Sequence, residues 1–375
     1  MKKKKILILT MTCGECHNAI ARSLKSLLDE NNEVKIIDIF EHDKSLKNMN
    51  NDGLLFLHRY LARPYDFIWN KLRKRNPEKR FSGMPYNAIK TCIPYIRNIV
   101  LDFNPDVIVS THCYAGNIVS ILKHDKIYNK RSFQILTDYV DCPYWETGIY
   151  NDFVFTPHEL THQYLINRGY NDKQLLVSGY PINAVYEEEK DKTELRKKFN
   201  IADDEFVILI SGGGYGLNNP KKIIKHLRKS NLINTKHKIL CLCGRNTKQK
   251  LQLDKYIAKN NIPNVQTFEF INYVDELLSV SDVIFCRGGA GTISEAIRKH
   301  VIPIIREKVI CNELINKEIF IKENIALGLN KTSDIVKTIN FCLDNPDKLN
   351  AMRESMPKFY KKGAINFIAE VINRT

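Results

Sequence analysis

A chain of 375 residues is too long for one ordinary hydrophobic core and suits two domains, each burying its own interior. A hydrophobic fraction of 43%, a charged fraction of 26% and a mean hydropathy of -0.31 describe a globular chain and argue against an integral membrane protein. The formal charge of +15 predicts a surface that attracts polyanions: nucleic acid, anionic headgroups or phosphorylated substrates.

Lys2, Lys3, Lys4 and Lys5 precede a short apolar run, superficially like a signal peptide. Cys13, Gly14, Glu15 and His17 interrupt that run before any cleavage-site pattern, so a first core strand is predicted and the chain is expected in the cytosol. The best apolar runs, 6–9 and 283–286, are far shorter than the ~20 residues that span a bilayer. Strand-like runs follow one another at 5–10, 34–39, 107–110, 133–136, 152–155 and 175–178, with amphipathic or polar stretches between several of them. Such alternation predicts an α/β fold with a parallel sheet covered on both faces. The pattern begins again at 206–211 and continues through 239–243, 265–268, 283–286, 302–305 and 325–329. A charged stretch at 186–198 reads as a linker leading into a helix, which divides the chain into domains 1–186 and 187–355. The tail, 356–375, is helical in pattern and could cross back onto the first domain. Ten cysteines are scattered without a small-scaffold framework, and Cys241, Cys243 and Cys286 sit in apolar runs, as buried reduced thiols do.

Two parallel sheets facing each other would share a crevice at their strand C-terminal ends, where ligands of such folds bind. Ser211-Gly212-Gly213-Gly214-Tyr215-Gly216 directly follows a predicted strand, and consecutive glycines let backbone amides approach an anion. A flexible surface turn is the competing explanation. Cys286-Arg287-Gly288-Gly289-Ala290-Gly291-Thr292-Ile293-Ser294-Glu295-Ala296 again leads from a strand through glycines into a helix, whose unpaired amides and positive dipole end suit a diphosphate. Glu295 lies about one turn inside. Its carboxylate either accepts bonds from two ribose hydroxyls or, with Ser294, merely supports the first turn.

The second run, followed by Pro303, Asn312-Glu313 and Asn316, resembles the donor-site signature of the processive diacylglycerol glycosyltransferases, the plant-type monogalactosyldiacylglycerol synthases and the lipid II-forming N-acetylglucosaminyltransferase. These are inverting enzymes of the GT-B fold, two Rossmann-like domains around a central cleft. The resemblance also takes in Gly14 to His17, Thr137-Asp138, Gly179-Tyr180-Pro181-Ile182, Gly212 to Gly216, Cys243-Gly244-Arg245-Asn246 and 270–277. It implies a UDP-sugar donor and no required cofactor or metal. Gly213 and Gly214 would approach the diphosphate from one side, and Gly289, Ala290 and Gly291 from the other, with Thr292 adding a hydroxyl. Gly244 and Arg245 would border the base, the main chain at Phe270 and Ile271 would read the uracil edge, and Glu295 would hold the ribose. Asn312 and Glu313 would contact the sugar hydroxyls; the family usually carries Gln-Glu here, so the hexose stays open.

After the first strand, His17 matches the family histidine that takes the acceptor proton or steadies the reacting groups. Cys16 replaces the second glycine of the family loop, and the resulting Cys13-x-x-Cys16 spacing also fits a dithiol redox motif or, with His17, part of a zinc site. Asp138 corresponds to the family Thr-Asp motif and could orient His17, act as the base itself or cap buried backbone. A long insertion, 54–97, interleaves aromatic and basic side chains, among them Tyr60, Arg63, Trp69, Lys71, Arg73 and Lys74. These suit an anionic membrane surface and a lipid acceptor. Alternatively they form solvated helices, broken at Pro64, whose aromatics pack on the domain. No nucleic-acid module is recognisable, so nucleic acid is not expected as a partner. The reading is an inverting hexosyltransferase acting on a lipid hydroxyl at the inner face of the cell membrane. Its rivals are a UDP-sugar 2-epimerase of the same double fold and a non-catalytic UDP-sugar sensor.

Overall fold

The computed structural model describes residues 3–12, 15–43, 61–79, 81–232 and 236–375. They form two compact units. The first comprises Met1–Ala184, Ile310–Asn312 and Lys361–Thr375, the second Val185–Val309 and Glu313–Tyr360.

The sheet of the first unit contains β1 (Lys4–Thr10), β2 (Asn32–Asp38), β3 (Val107–Ser110), β4 (Arg131–Ile135), β5 (Phe153–Thr156) and β6 (Leu175–Val177), in the order β2-β1-β3-β4-β5-β6. All its pairings are parallel. The centre of β1 reads as an unbroken apolar run because both its faces are covered. Ile6 and Ile8 enter one cluster, while Leu7 and Leu9, pointing the other way, enter a second. The helix Cys16–Leu28 covers the first cluster with Ile20, Leu24 and Leu28, spaced by four, and Ala21 beside them. The C-terminal helix Ala364–Arg374 completes that layer with Ile365, Ile368, Ala369 and Ile372, and Asn373 accepts a hydrogen bond from Asn32 at 2.9 Å.

The second unit repeats the architecture. Its strands β7 (Phe206–Ser211), β8 (His237–Leu242), β9 (Val265–Phe268), β10 (Val283–Cys286), β11 (Ile302–Ile305) and β12 (Leu327–Gly328) lie in the order β12-β11-β10-β7-β8-β9, again all parallel. The chain is thus two Rossmann-like units. Cys241 and Cys243 are buried, and burial pushes the Cys243 thiol up to about 11. Cys286, at the end of β10, is pushed up to about 12 for the same reason.

Each sheet reverses its direction of growth once. In the first unit the reversal separates β1 from β3, and in the second it separates β7 from β10. Right-handed connections leave such neighbouring strands toward opposite faces, so a crevice opens between their C-terminal ends. The segments there carry His17, in the first turn of its helix, with Thr111 and His112 in one unit, and Gly212 to Gly216 with Arg287 to Gly289 in the other.

The C-terminal helix contributes core rather than decoration. Ile368 is fully buried, and Ile368→Ala should cost about 2–5 kcal/mol of unfolding free energy. Urea titration with a probe in the first unit checks this; an unchanged midpoint would mean the helix does not seal that layer.

Candidate active site

At the reversal point of the second unit, the loop after β7 curls on itself. Gly216 N–H donates to Gly213 O at 3.0 Å and Leu217 N–H to Gly212 O at 2.9 Å. The loop after neighbouring β8 locks onto it, since Arg245 N–H donates to Gly214 O at 2.9 Å. Gly244 has φ +57, and a Cβ there would lie 2.5 Å from Gly214 O, so only glycine allows this approach. Gly213 and Gly214 are partly exposed at the outer side of the loop.

The helix Ala290–Arg298 starts beside this loop, at the end of the adjacent strand β10. Its N-cap, Gly289, has no side chain to offer, and the first amides of a helix have no acceptor within it. A Cβ built on Gly289 meets nothing within 4 Å, so the space before these amides is open. Gly289, Gly291 and Thr292 are partly exposed, while Ala290 is buried. Dipole and unpaired amides together attract an anion to that opening.

Side chains around the opening are held from behind. Asn316, fully buried, donates to Gly288 O at 3.1 Å. Arg287 forks onto Glu313, Nη2 to Oε2 2.9 Å and Nε to Oε1 3.1 Å, which neutralises the arginine next to the helix start. Glu313, expected against sugar hydroxyls, is engaged here in fixing this loop. The holding roles of Arg287 and Asn316 depend on contacts 26 and 28 residues away and carry no local sequence signal. Ser294 is buried and donates to Ala290 O at 2.7 Å, within the helix. Glu295 behaves differently: desolvation holds its carboxyl up at about 7, opposed by a hydrogen bond with Tyr186 and reinforced by Asp275. The Arg245 guanidinium lies 4.1 Å from the centre of the Phe270 ring, covering one face of a half-exposed aromatic, and Ile271 beside it is partly exposed.

At the reversal point of the first unit, His17 sits in the first turn of its helix, partly exposed. Its Nδ1 lies 2.8 Å from Thr111 O, which can only accept, so Nδ1 carries the proton and Nε2 the lone pair. Burial of the imidazole lowers its pKa below the ordinary value, outweighing the Thr111 bond. Thr137 Oγ1 stands 3.4 Å from the same nitrogen. Of the Thr-Asp pair, then, the threonine reaches His17; the Asp138 carboxylate accepts from Asn312 Nδ2 at 2.8 Å and its carbonyl from Thr161 Oγ1 at 3.1 Å. Below the histidine a polar chain ties three strands together. Asp38 accepts from Thr12, whose hydroxyl accepts from Asn18 Nδ2 at 3.0 Å, while Thr111 Oγ1 donates to Thr10 Oγ1, which donates to Asn18 Oδ1. Cys16 Sγ lies 2.7 Å from Tyr180 Oη. Cys13 and Gly14 fall outside the described residues, as does Tyr60.

Within the basic-aromatic insertion 54–97, residues 54–60 lie outside the described residues and the described part opens with the helix Ala62–Arg73. Pro64 does not break it. Proline in the first turn lacks only an amide that would have no partner there, so it starts the helix instead. Once the start is set, the 100° step per residue sorts the side chains. Phe67, 73% exposed, and Ile68, 44% exposed, share the outward face with Arg63, Pro64 and Lys71, and Lys74 follows exposed just beyond the helix end. Trp69 and Arg73 turn to the other side, partly buried, the guanidinium 5.8 Å from the indole centre. Arg168, itself paired with Asp141 and Glu146, donates to the Arg73 carbonyl at 2.8 Å and closes the helix end.

Two consequences can be measured. Gly289→Ala places a methyl in open space, so Tm should hold while affinity for UDP drops about tenfold or more by calorimetry; unchanged affinity would put the nucleotide elsewhere. Glu295 keeps its proton to about 7 in the folded chain but only to the ordinary 4.5 once unfolded. Wild-type stability relative to Glu295→Gln should therefore fall as pH rises through that window, because the folded state binds more protons there. Parallel urea midpoints at about pH 5 and pH 8 would contradict the raised value.

Known proteins are similar to this chain in both sequence and fold. The family description monogalactosyldiacylglycerol (MGDG) synthase matches residues 17–182, and glycosyltransferase family 28 C-terminal domain matches residues 207–367. The chain is 25% identical over 376 residues to the processive diacylglycerol beta-glucosyltransferase of Bacillus pumilus, covering 98% of this chain and 94% of that one. It is 21% identical over 374 residues to the enzyme of the same name from Bacillus subtilis, covering 98% and 94%. Among solved structures it resembles MurG of Acinetobacter baumannii, with TM-score 0.61, 15% identity and 99% and 100% of the two chains covered. It also resembles the UDP-GlcNAc 2-epimerase of Neisseria meningitidis bound to UDP-GlcNAc, with TM-score 0.60, 17% identity and 99% and 100% covered. A sequence relationship that runs through both units, on a fold common to sugar-nucleotide enzymes, makes this chain a UDP-sugar-dependent glycosyltransferase of the GT-B fold.

Proposed function

We propose that this glycosyltransferase moves a hexose from a UDP-sugar to a lipid hydroxyl, that of diacylglycerol or a related glycolipid, with inversion at the anomeric carbon. The observation that carries the donor side is the uncapped helix start at Gly289 with open space before it, at the reversal point of the sheet. Negative charge grows on the UDP as the glycosidic bond breaks. Amides fixed in place stabilise that charge more than they stabilise the intact donor, which is what lowers a barrier. Gly213, Gly214, Gly291 and Thr292 would share the diphosphate, Arg245 and Phe270 the base, and Glu295 the ribose.

On the acceptor side His17 is the base. An acceptor hydroxyl must give up its proton as its oxygen bonds to the anomeric carbon, and a base needs an open lone pair at working pH. Nδ1 is committed to the Thr111 carbonyl, and desolvation keeps the ring neutral, which leaves Nε2 ready. The Asp138 carboxylate, already accepting from Asn312, suits a supporting role.

The relatives' names supply the acceptor class, and the helix Ala62–Arg73 suits it. Phe67 and Ile68 would enter the headgroup layer while Arg63, Lys71 and Lys74 meet anionic lipid at its surface, each charge contributing about 1 kcal/mol. This moves the anchoring role from Trp69 and Arg73 to the opposite face of the same helix. The protein would then work on the inner surface of the cell membrane without spanning it. Among the described residues no helix is long and apolar enough to cross a bilayer.

A matrix of UDP-sugars against lipid acceptors, read by UDP release, tests the proposal. Turnover should require both a UDP-hexose and a lipid hydroxyl and vanish in Gly291→Asp, whose carboxylate would meet the diphosphate. Epimer formation from the UDP-sugar alone would favour the 2-epimerase reading, and binding without turnover the sensor. Separately, F67S/I68S should weaken co-flotation with vesicles containing anionic lipid; equal flotation would remove this helix from the membrane contact.

A further inference from the structure

The loop after β3 holds His17 from two directions. Thr111 supplies the carbonyl to Nδ1 at 2.8 Å, and the next residue, His112, sets its ring edge-on to His17, the centroids 4.5 Å apart and the planes at 75°. One hydrogen bond alone leaves an imidazole free to pivot about it, because the terminal torsion of histidine is broad. The His112 ring blocks that pivot.

His112 is itself anchored. It is 8% exposed, and its Nδ1 accepts the Tyr114 N–H at 3.1 Å as the N-cap of the helix Cys113–His124. Accepting at Nδ1 places its proton on Nε2, so the ring stays neutral while it caps. The Tyr114 ring packs against it at 5.4 Å, also edge-on. The side chain facing His17 is thus pinned by the Tyr114 backbone amide and by the Tyr114 ring. Burial drives the His112 pKa well down, with His17 adding to the effect, which agrees with that neutral state.

We propose that His112 is the positioning residue for His17, a wall that fixes the ring plane and so the direction of the Nε2 lone pair. This rests on the reading of His17 as the base. A base turned away from its proton by an ångström loses on the order of a hundredfold in rate.

The two duties of His112, cap and wall, separate by substitution. Asparagine is a good N-cap with no ring; phenylalanine keeps the ring and loses the cap. With UDP-glucose and dioleoylglycerol in mixed micelles, H112N should keep its Tm and its KM for UDP-glucose while kcat falls about 10- to 100-fold. H112F should lose a few degrees of Tm yet restore most of that kcat. Full kcat in H112N, or equal loss in both variants, overturns the assignment. His17→Ala run beside them distinguishes the failures. If it is inactive while H112N is fully active, the base stands and the wall falls; if it keeps wild-type kcat, the base falls and takes this inference with it.

Discussion

Main-chain amides attract an anion where a helix begins with its first turn uncovered and open space beside it. A parallel sheet that reverses its growth supplies such a place, because the two strands at the reversal send their connections to opposite faces. In the second unit those strands are β7 and β10, and both are followed by glycines. The geometry then sets strict demands on neighbours. Gly244 must be glycine to let the β8 loop lock the β7 loop, Gly289 must be glycine to leave the opening clear, and Asn316 must be buried to hold Gly288. The first is a backbone requirement, the second concerns what can enter the opening, and the third is a side chain holding a carbonyl in place.

The first unit uses the same reversal differently. Its helix Cys16–Leu28 has Glu15, not a bare glycine, as its N-cap and carries His17 in its first turn, so the crevice between β1 and β3 presents an imidazole. The surrounding hydroxyls and amides of Thr10, Thr12, Asn18 and Thr111 bond chiefly to one another and to Asp38. A satisfied polar chain of this kind fixes the imidazole while leaving Nε2 outside the network. Charge follows the same division. Near the opening at Gly289 Arg287 is neutralised by Glu313, which leaves attraction of an anion to the helix dipole and the amides, whereas the exposed cations Arg63, Lys71 and Lys74 cluster with Phe67 on an outward face.

Much of this was readable from residues in order. Strand-helix alternation and the position of glycines after β7 and β10 follow from local pattern, because period and backbone freedom are local properties. Two other features are not local. The phase of the Ala62–Arg73 helix depends on where it starts; Pro64 reads as a break until its place in the first turn is known, and only then does Phe67, rather than Trp69, fall on the outer face. The contacts that orient His17 join residues 94 and 120 positions away, so Thr111, His112 and Thr137 acquire meaning only when the sheet order puts β3 beside β1 and β4 beside β3. The same holds for Tyr186 against Glu295, a tyrosine from the linker that bears on a carboxyl inside a helix.

Hydrogen exchange of individual amides, with and without UDP, tests the central claim most directly. The account predicts that exchange slows at Ala290, Gly291 and Thr292 and in the Gly212–Gly216 loop when UDP is added, with the rest of the second unit changing little. Slowing confined to other segments, with those first-turn amides unaltered, would contradict it.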